Sequence, residues 1–111
     1  MGVVVKRFEV WLIELDPTKG SEIKKTRPCL VISPTVANKY LNTVAIIPMT
    51  SSFKSYPTRV NCLFEGKDGQ LMVEQMRGVD KIRLKKKLGV LNLEYCKSVC
   101  DLLVETYKWR E

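Results

Sequence analysis

With 111 residues the chain has the length of one domain, and an apolar share of 45% suffices for one modest core. Nineteen lysines and arginines against twelve acidic residues give a formal charge of +7, an excess that attracts phosphate backbones or an acidic protein partner. There is no histidine, and Cys29, Cys62, Cys96 and Cys100 form no C-x-x-C pair. This argues against a zinc site and for reduced core thiols in a cytoplasmic protein.

The opening "MGVVVKRFEV" has only three valines before Lys6, too short an apolar run for a signal-peptide core or a membrane span. "EVWLIEL", residues 9–15, is rich in β-branched and aromatic residues and is stopped by Asp16-Pro17, which predicts a strand and a turn. A polar loop over 16–26 follows, then "CLVIS", residues 29–33, as a buried strand. Pro34 opens a short turn or helical piece through Lys39. "TVAIIPM", residues 43–49, reads as another buried strand, with Pro48 implying an edge position or a bulge.

After the loop "TSSFKSYP", the segment "TRVNCLF" alternates. It puts Val60, Cys62 and Phe64 on one face and Arg59, Asn61 and Leu63 on the other. Gly66 to Gly69 reads as a turn, "QLMVEQM" (70–76) as a fifth strand and "KKLGVL" (86–91) as a sixth. Asn92 is placed to cap a final helix on which Leu93, Cys96, Cys100, Leu103 and Tyr107 share one face. About six short strands and one terminal helix predict a mainly β (α+β) fold: a small, strongly curved sheet or barrel in a single domain over 1–111.

A protein with no histidine and no metal cluster has electrostatic stabilisation as its main catalytic resource. Arg27 stands just before one buried strand and Thr50 just after another. If those strands are antiparallel neighbours, guanidinium and hydroxyl meet and can hold a phosphoryl oxygen, with Ser51 and Ser52 adding donors. The plainer reading of "TSS" is a loop start whose hydroxyls cap local backbone. Phe53 and Tyr56, interleaved with Lys54 and followed by Arg59, give the mix of stacking faces and cations that single-stranded nucleic acid favours.

Taken in order, "VWLIELDPTKGSE", "TRPCLVIS", "VAIIPMTSS", "SYPTRV", "VEQMRGVDKIRL" and "KLGVLNLEYCKSV" resemble the MazF/PemK/Kid family of toxin endoribonucleases. The resemblance covers about Lys6 to Tyr107. It implies a homodimer of SH3-like, PemK-type barrels that cuts single-stranded mRNA without metal or cofactor and is silenced by an antitoxin with an acidic disordered segment. It also implies that Arg27 and Thr50 are the principal catalytic pair and that Glu22 assists. Lys24, Lys25, Ser51, Ser52, Phe53, Lys54, Tyr56, Gln75 and Arg77 would then position the RNA. By the same resemblance the ribose 2′-hydroxyl attacks the adjacent phosphorus and leaves a 2′,3′-cyclic phosphate and a 5′-hydroxyl.

Three departures stand out from the family pattern. Phe8 replaces the usual glycine before the first strand's acidic residue, Ile23-Lys24-Lys25 replace a glutamine–glycine loop, and Val73 and Glu74 replace the arginine and aspartate of Kid-like members. The sequence also admits two other readings, a gyrase inhibitor like the CcdB toxins, which share the barrel, and a non-catalytic RNA-binding module.

Overall fold

The computed structural model describes residues 4–15 and 26–110. Its strands are β1 (Glu9–Glu14), β2 (Thr26–Val31), β3 (Thr43–Thr50), β4 (Arg59–Phe64), β5 (Lys67–Met72), β6 (Arg77–Asp80) and β7 (Leu84–Val90). The helices are α1 (Thr35–Tyr40) and α2 (Leu93–Tyr107), and 3-10 turns cover Val73–Gln75 and Lys81–Arg83. The strands form one antiparallel sheet in the order β4-β5-β3-β2-β1-β7, with β6 also on β3. Curling around the helix follows from β3, which pairs along one edge with β2 and along the other first with β6 and then with β5. None of the described helices is long and apolar enough to cross a membrane.

Pro48 sits at the centre of this arrangement, and the expected edge strand is corrected to an interior one. Ile32 N–H donates to Ala45 O, so the odd-numbered residues of β3 turn their backbone groups to β2 and Pro48 turns its nitrogen to the opposite edge. There the partner changes, from β6 opposite Ile46 to β5 opposite Met49. The missing N–H therefore falls in a gap between two partners, where no ladder bond is lost.

The two faces of the sheet carry separate cores. Leu30, Ile47, Leu71 and Cys62 pack with Cys96 and Val99 of α2, while Ile13, Cys29, Val31 and Ile46 pack with Trp11 and Val79 on the other face. A fully buried side chain of this kind contributes about 1.5–3 kcal/mol. Asn92 caps α2 by accepting from Glu94 N–H at 2.9 Å, as its sequence position predicts. The apolar seam of α2 is shorter than the predicted face. Cys96 and Val99 are buried and Cys100 and Leu103 half-buried, but Leu93 and Tyr107 are 70% and 64% exposed.

Two backbone features account for the other differences. Glu65 and Gly66 both have positive φ (51° and 78°), the two-residue hairpin turn that matches strand twist. It lets β5 begin at Lys67 rather than at Gln70, so β5 ends at Met72, the 3-10 turn follows, and β6 becomes a seventh strand. Phe8 has φ +73°, a left-handed conformation that costs a side-chain-bearing residue about 1–2 kcal/mol. Its N–H donates to Val31 O and its carbonyl accepts from Leu91 N–H, so neighbours on both sides hold it there, and the Arg7 guanidinium lies 4.9 Å from its ring. The glycine-to-phenylalanine departure thus falls where the backbone most favours glycine.

Glu9, 3% exposed, is a buried charge with a full set of partners. It accepts from Lys6 N–H and Trp11 Nε1, each at 3.0 Å, and pairs with Lys87 at 3.0 Å. Burial pushes its pKa up, but the hydrogen bonds from Lys6, Trp11 and Lys87 outweigh it and hold the carboxyl below its ordinary value.

Candidate active site

β2 and β3 pair Cys29 with Pro48, Leu30 with Ile47 and Val31 with Ile46. The same count carried two residues further would set Arg27 opposite Thr50, the arrangement that the strand-boundary argument expects. Opposed residues of an antiparallel pair share a face, here the face away from α2. Thr50 is in turn opposite Gln70 of β5, and Gln70 opposite Asn61 of β4. Arg27, Thr50, Gln70 and Asn61 thus form one polar row across four strands.

The Arg-Pro dipeptide has a local reason. The Ile32 N–H to Ala45 O bond directs the backbone of even-numbered β2 residues toward β3, so Pro28 faces Met49 but has no N–H to offer its carbonyl. The Arg27 guanidinium supplies the donor instead, from Nη1 to Met49 O at 3.4 Å. Among the described residues this single long bond is the only one Arg27 makes, and it uses one of the guanidinium's five donors. Thr50 Oγ1 accepts from Ser52 N–H at 3.1 Å. The local cap is therefore real, and because it uses only an oxygen lone pair, the hydroxyl proton remains free to be donated.

Both residues line a cleft of about 440 Å³ with Thr26, Pro28, Met49, Ser51 and the β4–β5 hairpin. Gly69 borders it so closely that a Cβ there would lie 3.2 Å from Thr50 O. Two carboxylates, Glu65 and Asp68, also line the cleft. Sequence reasoning missed them because a residue's distance from Arg27 along the chain says nothing until the hairpin register is fixed. Burial pushes the Cys29 thiol up to about 12 against the opposing fields of Arg27 and Arg77, so it stays protonated and takes no nucleophilic part.

The remaining predicted residues divide into groups. Ser51 lines the cleft, and Ser52 donates its backbone N–H to Thr50 Oγ1. Phe53, Lys54 and Tyr56 line a second groove with Arg59, Asn61 and Gln70. Arg77 is opposite Ile46 on the face of Arg27, whereas Gln75 is exposed in a 3-10 turn and lines neither space. Glu22, Lys24 and Lys25 lie outside the described residues.

A curled, helix-closed sheet with a cation and a hydroxyl at neighbouring strand ends defines a small α+β barrel with a polar cleft at its mouth. Residues 6–106 match the family described as PemK-like, MazF-like toxin of type II toxin-antitoxin systems, and the chain belongs to that family. It is 35% identical over 95 residues to Endoribonuclease MazF of Staphylococcus epidermidis, covering 80% of this chain and 79% of that one. Among solved structures it resembles MazF of Deinococcus radiodurans (TM-score 0.82, 24% identity, 97% of this chain and 100% of that chain). It also resembles a MazE-MazF structure from the same organism (TM-score 0.85, 24% identity, 98% and 100%). At such identities the structural likeness speaks for the fold.

Proposed function

We propose that the chain is a MazF-type endoribonuclease toxin that cuts single-stranded mRNA in the cytoplasm as a homodimer of single-domain protomers. Family membership supports the toxin class, and the name of the Staphylococcus epidermidis relative supports the reaction. What supports the assignment to a site is that Arg27 and Thr50 line one cleft at neighbouring strand ends, with one long bond on the guanidinium and no acceptor for the hydroxyl proton among the described residues.

In the proposed reaction the ribose 2′-oxygen attacks the adjacent phosphorus, the new P–O2′ bond forms and the P–O5′ bond breaks. The products are a 2′,3′-cyclic phosphate and a 5′-hydroxyl. Because the substrate brings its own nucleophile, the protein's task is alignment and stabilisation of a dianionic pentacoordinate phosphorane. Arg27 faces that charge as a donor-only group, so it does not take the 2′-proton. Thr50 donates to a non-bridging oxygen. The 2′-proton passes to a carboxylate or to water, Glu22 being the family-based candidate and Glu65 and Asp68 the two that line the cleft. The departing O5′ takes a proton from solvent.

Incubating the purified protein with RNA in EDTA tests this reading. Fragments with cyclic phosphate and 5′-hydroxyl ends support it. Intact bound RNA, or cleavage that returns only on adding a divalent ion, overturns it. The antitoxin is proposed to present an acidic disordered segment to Lys24, Lys25 and Arg27, competing with RNA, so that association slows as salt rises. Antitoxin affinity unchanged in a Lys24→Glu, Lys25→Glu variant that no longer binds RNA would contradict the shared surface.

A further inference from the structure

The second groove, about 530 Å³, has an ordered polar floor that the reaction scheme leaves unused. Gln70, 4% exposed, makes the full complement of amide hydrogen bonds. Its Oε1 accepts from Lys54 N–H at 3.0 Å and Arg59 Nη1 at 3.2 Å, and its Nε2 donates to Lys54 O at 3.1 Å and Asn61 Oδ1 at 2.9 Å. A backbone N–H only donates and a backbone carbonyl only accepts, so Lys54 fixes which end of the Gln70 amide is oxygen. The Asn61 atom facing Nε2 must then be its carbonyl. Asn61 Nδ2 is turned away from Gln70, and its two hydrogens have no acceptor among the described residues.

The walls suit a flat ring. Phe53 and Tyr56 are each 51% exposed, and the Arg59 guanidinium stacks 4.9 Å from the centre of the Tyr56 ring, steadying it. Thr50, which lines the cleft, and Gln70 and Asn61, which line the groove, are successive members of one row. At about 4.8 Å per strand, Asn61 lies roughly 10 Å from Thr50, within reach of the nucleotide next to a phosphate held there.

We infer that this groove holds one unpaired nucleobase of the RNA, from a nucleotide flanking the cleaved step. Asn61 donates to an acceptor on its edge, and Gln70 positions both Asn61 and the Lys54 loop. The inference rests on the RNA-cleaving reading. It explains why two amides and an arginine are tied together beside two exposed aromatic rings: stacking holds any base, while a fixed donor selects among them.

The test is cleavage of a randomised RNA pool, scored position by position, with melting temperature measured alongside. Asn61→Asp keeps an acceptor for Gln70 Nε2 but puts a second acceptor where the donors were. Preference at one position flanking the cut should shift tenfold or more, toward bases offering a donor there, while the other positions stay as in wild type. Asn61→Ala should flatten the preference at that same position. Gln70→Glu removes the donor that fixes Asn61 and lets its amide turn, so it should shift preference in the same direction as Asn61→Asp. Unchanged preference in all three variants, or a slowdown equal at every position, overturns the inference. Wild-type protein that leaves the pool uncut would instead overturn the cleavage reading on which it rests.

Discussion

Arg27 and Arg59 face the same side of one sheet and differ in how much of their bonding capacity the fold uses. Arg59, with its side chain 7% exposed, is held by Glu74 through Nε and Nη2, each at 2.9 Å, by Gln70 Oε1 and by the Tyr56 ring. Among the described residues Arg27 has one 3.4 Å bond, to a carbonyl that Pro28 leaves without a backbone donor. Among the described residues the first arginine is a structural tie, and the second, in the proposed reaction, is the charge that meets the anion. Residue type and sequence position do not separate them, whereas their hydrogen bonds do.

The largest expected effect breaks this comparison at Arg27. Arg27→Ala should slow single-turnover RNA cleavage by roughly a hundredfold or more, as for loss of a transition-state donor, with little change in melting temperature. Arg59→Ala should behave differently. It leaves Glu74 and Gln70 without their cation and should cost about 1.5–3 kcal/mol in a denaturant titration. If Arg27→Ala unfolds the protein and Arg59→Ala is silent in stability, the roles assigned to the two residues are reversed.

Thr50→Val, which keeps the shape and removes the hydroxyl, should lower cleavage roughly tenfold to a hundredfold. It should cost at most about 1 kcal/mol of stability for the lost Ser52 cap. A wild-type cleavage rate would remove Thr50 from the site.

The structural ties can also be read through pH. Glu74 is pushed up by burial, but hydrogen bonds, including those from Arg59 and Thr58, outweigh this and hold it below the ordinary 4.5, as similar bonds do for Glu9. A carboxyl whose folded pKa is depressed adds stability that is fully present above its unfolded value and is lost as pH falls through the folded one. Melting temperature should therefore fall on acidification below about 4.5. Glu9→Gln should be less stable at neutral pH and show a shallower fall, and an unaltered acid slope would discount the Glu9 network.

The smallest effect lies far from both arginines. At the left-handed Phe8, Phe8→Gly should be more stable than Phe8→Ala by about 1 kcal/mol, since both lose the ring and only glycine relieves the backbone. The reverse order of melting temperatures would contradict the strain assigned to this residue.

Much of this was legible in the sequence because it rests on local pattern. β-branched runs marked β1, β3 and β4, Asn92 marked the start of α2, and the strand-boundary argument opposed Arg27 to Thr50. What escaped depends on register. The Glu65–Gly66 turn shifted β5 by three residues and freed a short, polar-looking "RGVD" to become β6. Gln70 and Asn61 look like ordinary polar strand residues until pairing sets them beside Thr50. The strain at Phe8 and the fully partnered Glu9 likewise appear only when distant segments are brought together.

The central claim, that Arg27 and Thr50 act on one phosphoryl group, is tested most directly by a double-mutant cycle of single-turnover cleavage with Arg27→Ala, Thr50→Val and both together. Residues that act as a unit lose less in combination than the product of their separate losses. The double variant should therefore be only slightly slower than Arg27→Ala alone, with folding intact in all three. Losses that multiply in full would mean that the two residues work independently, and the shared site would be wrong.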